Sequence, residues 1–379
     1  MKTLQFTKFY PPVFGGIETA TYELAEGLIA RGVPTDVLCA NTERRAVRDT
    51  YGPVRVSRAA SYAKLLSTSM APGLITELAR MRGQHDIVHV HLPNPMANVA
   101  LRLVPPRARI VLHWHSDIIN QARALKLYEP LQQWMLRRAD AIIATSPPYA
   151  AHSPWLRPYS DKVHVVPLGI QADRLLHPQQ ALSDARRALR ARHGERPLIF
   201  SIGRMATYKG FDVLTEASRE LRRGALVVVG GGGELLDSHR EQVRHLGLEG
   251  RIVFTGRLSD LEVAAYMAEA TMFCLPSTNR AEAFGMVLLE AMVAGLPIVS
   301  TDIAGSGVPW VNAHGESGLN VPILQPRALA DAINRLLDDP VLARQYGDAG
   351  RRRFETHFTA DRMVEQTLAV YRQVLGQPG

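Results

Sequence analysis

The strongest constraint on the fold is an alternation of short apolar runs with longer amphipathic runs, which occurs twice along the chain. Short apolar runs separated by helical patterns are typical of β–α–β units, so the sequence predicts an α/β protein with parallel sheets. The predicted strands cover residues 4–6, 36–40, 87–90, 110–113, 141–144, 163–166, 198–202, 225–229, 252–255, 271–275 and 298–300. Helical spacing is clearest at residues 17–30, 121–138, 209–221, 234–245, 259–268 and 358–375.

The domain boundary follows from length and from a break in the strand pattern. A chain of 379 residues is too long for one typical core and suits two domains. Residues 167–196 show no strand pattern, so we place the linker near residues 168–172, between domains at 1–170 and 171–357. Two such domains with their sheets facing each other would leave a cleft at the carboxyl ends of the strands, where ligands bind in open α/β sheets.

Cysteine usage and hydropathy limit the cellular compartments in which this protein is expected. Cys39 and Cys274 each lie inside an apolar run, which predicts buried core thiols and not a disulfide scaffold. The sequence has no apolar stretch long enough to span a bilayer and no secretory signal at its beginning. We therefore expect a cytoplasmic protein that meets a membrane, if at all, at the surface of the bilayer.

The excess of positive over negative charge is confined to the first half of the chain. The net charge is +8, and the first 170 residues account for all of it. The arginines concerned include Arg44, Arg45, Arg48, Arg55, Arg58, Arg80, Arg82, Arg102, Arg107 and Arg109. This asymmetry indicates either a solvated basic surface or an anionic partner, such as an anionic leaflet or a diphosphate-bearing substrate. Nucleic acid is not expected, because the basic residues are scattered and no recognition motif accompanies them.

The most informative motif places two carboxylates eight residues apart, Glu282 and Glu290, around a Phe284-Gly285 step that opens an apolar helix. A helix N-terminus presents unpaired N–H groups and favours anions such as phosphate. A carboxylate within an apolar helix needs a partner, and ribose hydroxyls would serve for Glu290. The alternative is a buried glutamate that protein backbone satisfies.

Two further segments follow predicted strands. Gly203-Arg204 comes directly after the strand at 198–202, and Lys209 follows before a helix. That order suits a diphosphate held by Arg204, with Lys209 adding a point charge, although a surface Arg–Lys pair remains the alternative. Gly15 and Gly16 lie between the first strand and the first helix, where they allow a close ligand or form a tight loop.

Metal and dinucleotide signals are weak. His113, His115 and Asp117 follow a strand, but their spacing is not that of a zinc site, so we interpret a histidine there as a polar contact. The glycine run at residues 230–233 does not complete a dinucleotide fingerprint. The sequence also lacks Asp-x-Asp, the usual carboxylate pattern for a divalent metal on a sugar nucleotide.

Taken together, these segments resemble the retaining, metal-independent glycosyltransferases of family 4, which have the GT-B architecture of two Rossmann-like domains. The resemblance runs in order from Gly15-Gly16 to Pro297. The run from His113 to Ile119 looks like a branch that builds bacterial surface polysaccharides, often from mannose-type donors. The resemblance therefore implies hexosyl transfer from a GDP- or UDP-sugar to a glycan or lipid-diphosphate-linked acceptor, with no cofactor and no divalent metal.

The resemblance also implies residue roles. Arg204 and Lys209 would grip the diphosphate, Glu282 would touch hexose hydroxyls, Glu290 would hold ribose, and His115 would lie near the C6 side of the sugar. The remaining donor-binding positions would be Gly15, Gly16, Gly203, Gly231, Arg257, Leu258, Phe284, Gly285, Met286 and Val287. The helix from Phe358 would return to the first domain. Acceptor loops are expected within residues 41–70 and 117–130, at the cytoplasmic face of the inner membrane.

A mechanism follows from these roles. The cations and the helix N-terminus would stabilise the leaving diphosphate, and the acceptor hydroxyl would attack from the same face, giving retention. A covalent route through Glu282 is the less favoured alternative. Other functions consistent with the fold are a sugar-nucleotide epimerase, a phosphorylase and a non-catalytic sugar-nucleotide binder. The last of these is disfavoured because all four expected site residues are present, namely Glu282, Glu290, Arg204 and Lys209.

Overall fold

The computed structural model describes residues 1–65, 68–119 and 122–377. It divides the chain into two compact units. The first unit consists of Met1–Gln171 together with Thr359–Gly379, and the second consists of Ala172–Phe358. Each unit is a parallel β-sheet with helices packed on it, as the alternating pattern predicts.

The first unit is built on an eight-stranded sheet with the order β10-β9-β8-β7-β1-β2-β4-β3. Its strands are β1 Thr3–Phe6, β2 Thr35–Ala40, β3 Val47–Tyr51, β4 Val54–Ala59, β7 Ile87–Leu92, β8 Arg109–Trp114, β9 Ala141–Ala144 and β10 Val163–Val165, with β5 Ala63–Leu65 and β6 Thr68–Met70 forming a separate hairpin. Its helices are α1 Gly16–Ala30, α2 Gly73–Met81, α3 Pro95–Leu103, α4 Ala122–Arg138, α5 Pro147–His152 and α14 Ala360–Leu375. In the eight-stranded sheet all neighbouring strands run parallel except β3 and β4, and the separate β5–β6 pair is antiparallel.

The helix α14 belongs to this first unit although it follows the whole second unit in the chain. It packs against α1, where Gly27 leaves so little room that an added Cβ would lie 2.5 Å from the Val364 Cγ2. Arg31 bonds the Asp361 carboxylate at 2.7 Å across the same pair of helices. The Ala360 backbone N–H also donates to the Ile170 carbonyl at 3.0 Å.

The second unit contains a six-stranded sheet in which every neighbouring pair is parallel, with the order β13-β12-β11-β14-β15-β16. Its strands are β11 Leu198–Ile202, β12 Leu226–Gly230, β13 Ile252–Gly256, β14 Met272–Leu275, β15 Ile298–Asp302 and β16 Gly318–Pro322. Its helices are α6 Gln179–His193, α7 Phe211–Ala217, α8 Leu236–His245, α9 Asp260–Glu269, α10 Met286–Val293, α11 Val308–Val311, α12 Pro326–Asp338 and α13 Pro340–His357.

The predicted strands agree with the observed ones to within about two residues, because buried parallel strands are near-continuous apolar runs. Ser259 caps α9 through a capping box with Glu262, as its sequence pattern indicates. Both cysteines are buried, and burial raises the pKa of the Cys39 thiol to about 12. No described helix has both the length and the apolar character that crossing a bilayer requires.

Three sequence expectations need correction. The predicted helix at 209–221 is three pieces, because Gly210 at φ 68° separates a short 3-10 turn at Thr207–Lys209 from α7, and another 3-10 turn at Ser218–Glu220 follows it. The expected acceptor loop at 41–70 contains β3 to β6, whose alternating polar residues hide the strands. The last helix begins at Ala360 and not at Phe358, since Thr359 caps it. Residues 66–67 and 120–121, including the predicted helix start at Gln121, lie outside the described residues.

Candidate active site

The second unit gathers the predicted donor-binding segments at the carboxyl ends of four neighbouring strands. Gly203 and Arg204 follow β11, Gly231 follows β12, and Arg257-Leu258 follows β13. The loop after β14 carries Glu282 and leads into α10. Because the strands are parallel and adjacent, their ends meet at one edge of the sheet, which is where ligands bind in open α/β folds.

Close backbone contacts explain the glycines at this edge. Gly231 has φ 121°, and a Cβ there would lie 1.9 Å from the Gly203 carbonyl oxygen. A Cβ on Gly232 would lie 3.1 Å from the Arg257 Cγ, and one on Gly230 would lie 2.6 Å from the Leu258 Cδ1. The segment Gly230–Gly232 therefore contacts the Gly203 backbone after β11 and the side chains of Arg257 and Leu258 after β13, and only glycine fits at Gly231.

The centre of the site is a buried ion pair between Lys209 and Glu282. The Lys209 Nζ lies 2.6 Å from the Glu282 Oε2, and the Ser277 hydroxyl donates to the same oxygen at 3.1 Å. Burial alone would lower the pKa of Lys209, but the charge and hydrogen bond of Glu282 outweigh it and raise that pKa. Among the described residues the Glu282 Oε1 has no hydrogen-bond partner, so this oxygen can accept a bond from a ligand.

The loop around Glu282 is held by the loop that follows β15. The Ser306 hydroxyl donates to the Glu282 carbonyl at 2.5 Å, and the Gly307 N–H donates to the Ala283 carbonyl at 2.7 Å. Phe284 is buried, and Gly285 caps α10 in the left-handed region at φ 80°. The backbone N–H groups of Met286 and Val287 thus begin the helix, where an anion is favoured.

Glu290 occupies the second turn of α10 and pairs with a residue that sequence reasoning missed. The Arg174 Nε lies 3.3 Å from the Glu290 Oε1. Burial raises the pKa of Glu290, and the charge of Arg174 opposes that shift only in part. Arg174 lies in a 3-10 turn at Ala172–Leu175, and no local pattern in the sequence marks it as a carboxylate partner.

Two other arginines of the site, Arg204 and Arg257, differ from Arg174 in having no carboxylate partner among the described residues. Arg204 and Arg257 both point their side chains to solvent. Within the described part of the chain, neither makes an ion pair or a side-chain hydrogen bond, so both guanidinium groups can bind an anionic ligand. Arg204 is close enough to Lys209 for its charge to lower the pKa of that lysine slightly against the larger effect of Glu282.

The first unit holds the remaining predicted residues, Gly15, Gly16 and His115. Gly15 and Gly16 are exposed at the N-terminus of α1. Arg58 holds the loop before them, with its guanidinium bonding the Pro11 carbonyl at 2.7 Å and the Tyr10 carbonyl at 3.2 Å. Arg58 is therefore a buried residue with a structural role and does not contribute to an exposed basic surface.

His115 is one member of a stack of four buried histidine rings, His89 and His91 from β7 and His113 and His115 from the end of β8. Neighbouring rings lie 4.1 to 5.4 Å apart between centroids. His89 and His91 are not among the site residues predicted from the sequence, although their two-residue spacing on a strand places both on one face. Burial lowers the pKa of all four rings, to about 3 for His113, so the stack is neutral near pH 7.

The stack is a poor metal site as it stands. His89, His91 and His113 offer ring nitrogens within 4.8 Å of one another. A metal ion lies in the plane of each imidazole that binds it, yet these rings are within 25° of parallel, so their lone pairs do not converge. Asp117 is also engaged elsewhere, since it accepts from the Trp114 Nε1 and the Ser153 hydroxyl, each at 2.8 Å.

Family profiles match both halves of the chain. The profile described as Glycosyltransferase Family 4 matches residues 14–174, and the one described as Glycosyl transferases group 1 matches residues 184–353. The chain is 32% identical over 376 residues to the O-antigen chain mannosyltransferase C of Escherichia coli, covering 99% of each chain. It is 33% identical to the D-rhamnosyltransferase WbpZ of Pseudomonas aeruginosa, covering 95% of this chain and 93% of the relative.

The fold also matches a solved structure. Sucrose-phosphate synthase from Thermosynechococcus elongatus superimposes with a TM-score of 0.80 at 22% sequence identity, covering 99% of this chain and all of that one. At this identity the likeness concerns the fold alone, and that fold is the GT-B architecture.

Proposed function

The chain belongs to glycosyltransferase family 4, and from that premise we propose that it moves a mannose-type hexose from a nucleoside diphosphate sugar to a hydroxyl of a glycan or lipid-linked acceptor. That it is a glycosyltransferase follows from the matches to both halves. The names of the two relatives support a hexose of the mannosyl or rhamnosyl type and a role in building bacterial surface polysaccharide. The observation that carries the proposal is the buried Lys209–Glu282 pair among the gathered strand ends.

The chemistry requires a group that stabilises the leaving diphosphate. Its negative charge grows as the bond to the anomeric carbon breaks, and preorganised cations stabilise that charge most. Lys209 supplies a fixed ammonium group, Arg204 supplies an exposed fork of N–H donors, and the N-terminus of α10 supplies backbone N–H groups. These groups are our reason for proposing that transfer proceeds without a divalent metal.

Glu282 suits contact with the sugar better than covalent attack on it. Its Oε2 is held by Lys209 and Ser277, which leaves Oε1 for a hexose hydroxyl. We assign retention of configuration to same-face attack by the acceptor, whose proton passes to the departing phosphate. Glu290 would hold the ribose hydroxyls, displacing its contact with Arg174.

Thermal unfolding with nucleotides in EDTA tests the donor site. A nucleotide present at about 100 times its Kd should stabilise the protein by about 2.7 kcal/mol, which is visible as a higher midpoint. We expect GDP or UDP, but not both equally, to raise the midpoint with EDTA present. The matching nucleotide sugar should then be turned over only when an acceptor is added.

Two results would contradict the proposal. If no nucleotide shifts the midpoint in EDTA and metal restores a shift, the metal-free donor site is wrong. If NMR shows the nucleotide sugar converting to an isomer without acceptor, the enzyme is an epimerase acting on the donor alone.

The acceptor side of the proposal concerns the basic first unit. Several of its arginines, among them Arg44, Arg45, Arg82 and Arg107, are exposed and have no ion pair among the described residues. Others are neutralised, since Arg55 pairs with Asp36 and Arg48 pairs with Glu77. We propose that the exposed arginines favour an anionic leaflet carrying a lipid-diphosphate acceptor.

Vesicle flotation tests this membrane contact. Binding should be stronger to anionic phosphatidylglycerol vesicles than to neutral phosphatidylcholine vesicles, and should weaken as salt screens the charges. The Arg44→Gln/Arg45→Gln variant should bind the anionic vesicles less. Equal binding to both kinds of vesicle would reject the contact.

A further inference from the structure

A chain of buried hydrogen bonds joins His115 to the C-terminal helix α14. The Gln5 amide nitrogen donates to the Tyr371 hydroxyl at 3.2 Å, and the Gln5 Oε1 lies 3.0 Å from the His91 Nε2. The His91 Nδ1 lies 2.9 Å from the His115 Nε2. Gln5 and Tyr371 are fully buried, and His115 is the most exposed of the four at 5%.

The direction of every bond in this chain follows from donor and acceptor chemistry. The Gln5 Oε1 is a carbonyl oxygen and can only accept, so the proton of His91 is on Nε2. A neutral His91 then has a bare Nδ1, which can only accept from the His115 Nε2–H. His115 in turn has its own Nδ1 unprotonated. Burial lowers the pKa of both rings and keeps them neutral, so each ring has one protonated and one bare nitrogen.

The Gln5 amide is oriented with its nitrogen toward the Tyr371 hydroxyl, and the protonation of the histidines depends on this orientation. Its hydroxyl also contacts the His89 Nδ1 at 2.5 Å. Because the amide nitrogen of Gln5 can only donate, Tyr371 accepts from it, which leaves the hydroxyl hydrogen of Tyr371 available for the His89 Nδ1. The amide nitrogen also lies 3.4 Å from the Thr3 hydroxyl, so the nitrogen faces two hydroxyl groups and the oxygen faces His91.

We propose that this relay of Tyr371, Gln5 and His91 consists of positioning residues that lock His115 as the Nε2–H tautomer. The only ring nitrogen left for a ligand is then Nδ1, which can accept a hydrogen bond and cannot donate one. The His115 Nδ1 is buried and has no hydrogen-bond partner among the described residues, an arrangement that a ligand hydroxyl would complete. That the hydroxyl belongs to the transferred sugar rests on the proposed function, whereas the tautomer does not.

Nitrogen NMR reads the tautomer directly. The full chain labelled with ¹⁵N-histidine gives long-range proton–nitrogen correlations that distinguish protonated from bare ring nitrogens, and the His115→Gln variant assigns the signals of His115. We expect a bare Nδ1 in the wild type. Tyr371→Phe should release the Gln5 amide, give a mixture of His115 tautomers and lower kcat about tenfold, as expected for one lost hydrogen bond.

A matched pair at His91 separates positioning from packing. Asparagine places an acceptor oxygen near the position of the His91 Nδ1, so His91→Asn should keep the His115 tautomer, whereas His91→Leu should lose it. His113→Phe is the control within the stack, because neither ring nitrogen of His113 has a hydrogen-bond partner among the described residues. This variant should leave the His115 nitrogen signals unchanged.

The outcomes distinguish the relay from the proposed function. A protonated Nδ1 on His115 in the wild type, or an unchanged tautomer in both Tyr371→Phe and His91→Leu, would overturn the relay. The expected tautomer pattern together with an absence of glycosyl transfer would leave the relay standing and reject the proposed function.

Discussion

Lys209→Met should lower kcat by about 10²- to 10³-fold, because it removes a buried cation that, under the proposed function, stabilises the leaving diphosphate. The same change should lower the free energy of unfolding by about 3–5 kcal/mol, since Glu282 is left as a buried charge without its partner. Steady-state kinetics and urea denaturation on the same samples measure the two effects.

The double variant Lys209→Met/Glu282→Gln separates these effects. Without either charge, most of the lost stability should return, while kcat should stay low because no cation has been restored. Lys209→Arg keeps the charge and should retain more activity than Lys209→Met. A double variant with near wild-type kcat would show that Lys209 has no catalytic role. Unchanged turnover in Glu282→Ala would likewise show that Glu282 has none.

Lowering the pH below about 6.5 should destabilise the first unit steeply because of the histidine stack. The folded stack holds its rings neutral, with pKa values below the ordinary one, whereas the unfolded chain protonates them near pH 6.5. The unfolded state therefore binds more protons, and stability is present above pH 6.5 and is lost as the pH falls toward 3. Once the rings of the unfolded chain are protonated, each ring contributes a slope of about 1.4 kcal/mol per pH unit, or about 5.5 kcal/mol per pH unit for the four together.

Urea midpoints between pH 7.5 and pH 5 measure this loss. Tryptophan fluorescence is a suitable signal, because Trp114, Trp134 and Trp155 all lie in the first unit. Carboxylates titrate mainly below this range, and the side chains that bond the stack, Gln5 and a neutral Tyr371, do not titrate within it. His113→Phe should reduce the slope by about 1.4 kcal/mol per pH unit. A midpoint that does not change with pH would show that the rings are not held neutral.

Local pattern predicted most of the two sheets but not their edges. Strands such as β12, which is buried along its whole length, are read directly from continuous apolar runs. The edge strand β3 has three consecutive exposed residues between two half-buried ones and pairs only with β4, so its sequence resembles a polar loop. The strand order and the return of α14 are set by tertiary packing, which no local pattern contains.

The site divides in the same way. Lys209 and Glu282 could be identified because each follows a strand in a distinctive motif, although their direct contact at 2.6 Å could not be foreseen. Arg174 and Tyr371 could not be found, because their importance comes only from what they meet across long stretches of chain. His89 could have been predicted from the sequence, because it and His91 share one face of a strand and that strand neighbours the one that carries His113.

The place of α14 has a consequence for biosynthesis. The ribosome makes the first 171 residues early, but the helix that packs on α1 and supplies Tyr371 is translated only after the whole second unit. The second unit is continuous and can complete its core while the nascent first unit still exposes the surface that α14 will cover. Assembly is therefore inverted relative to synthesis, and the unit that is begun first is the one finished last.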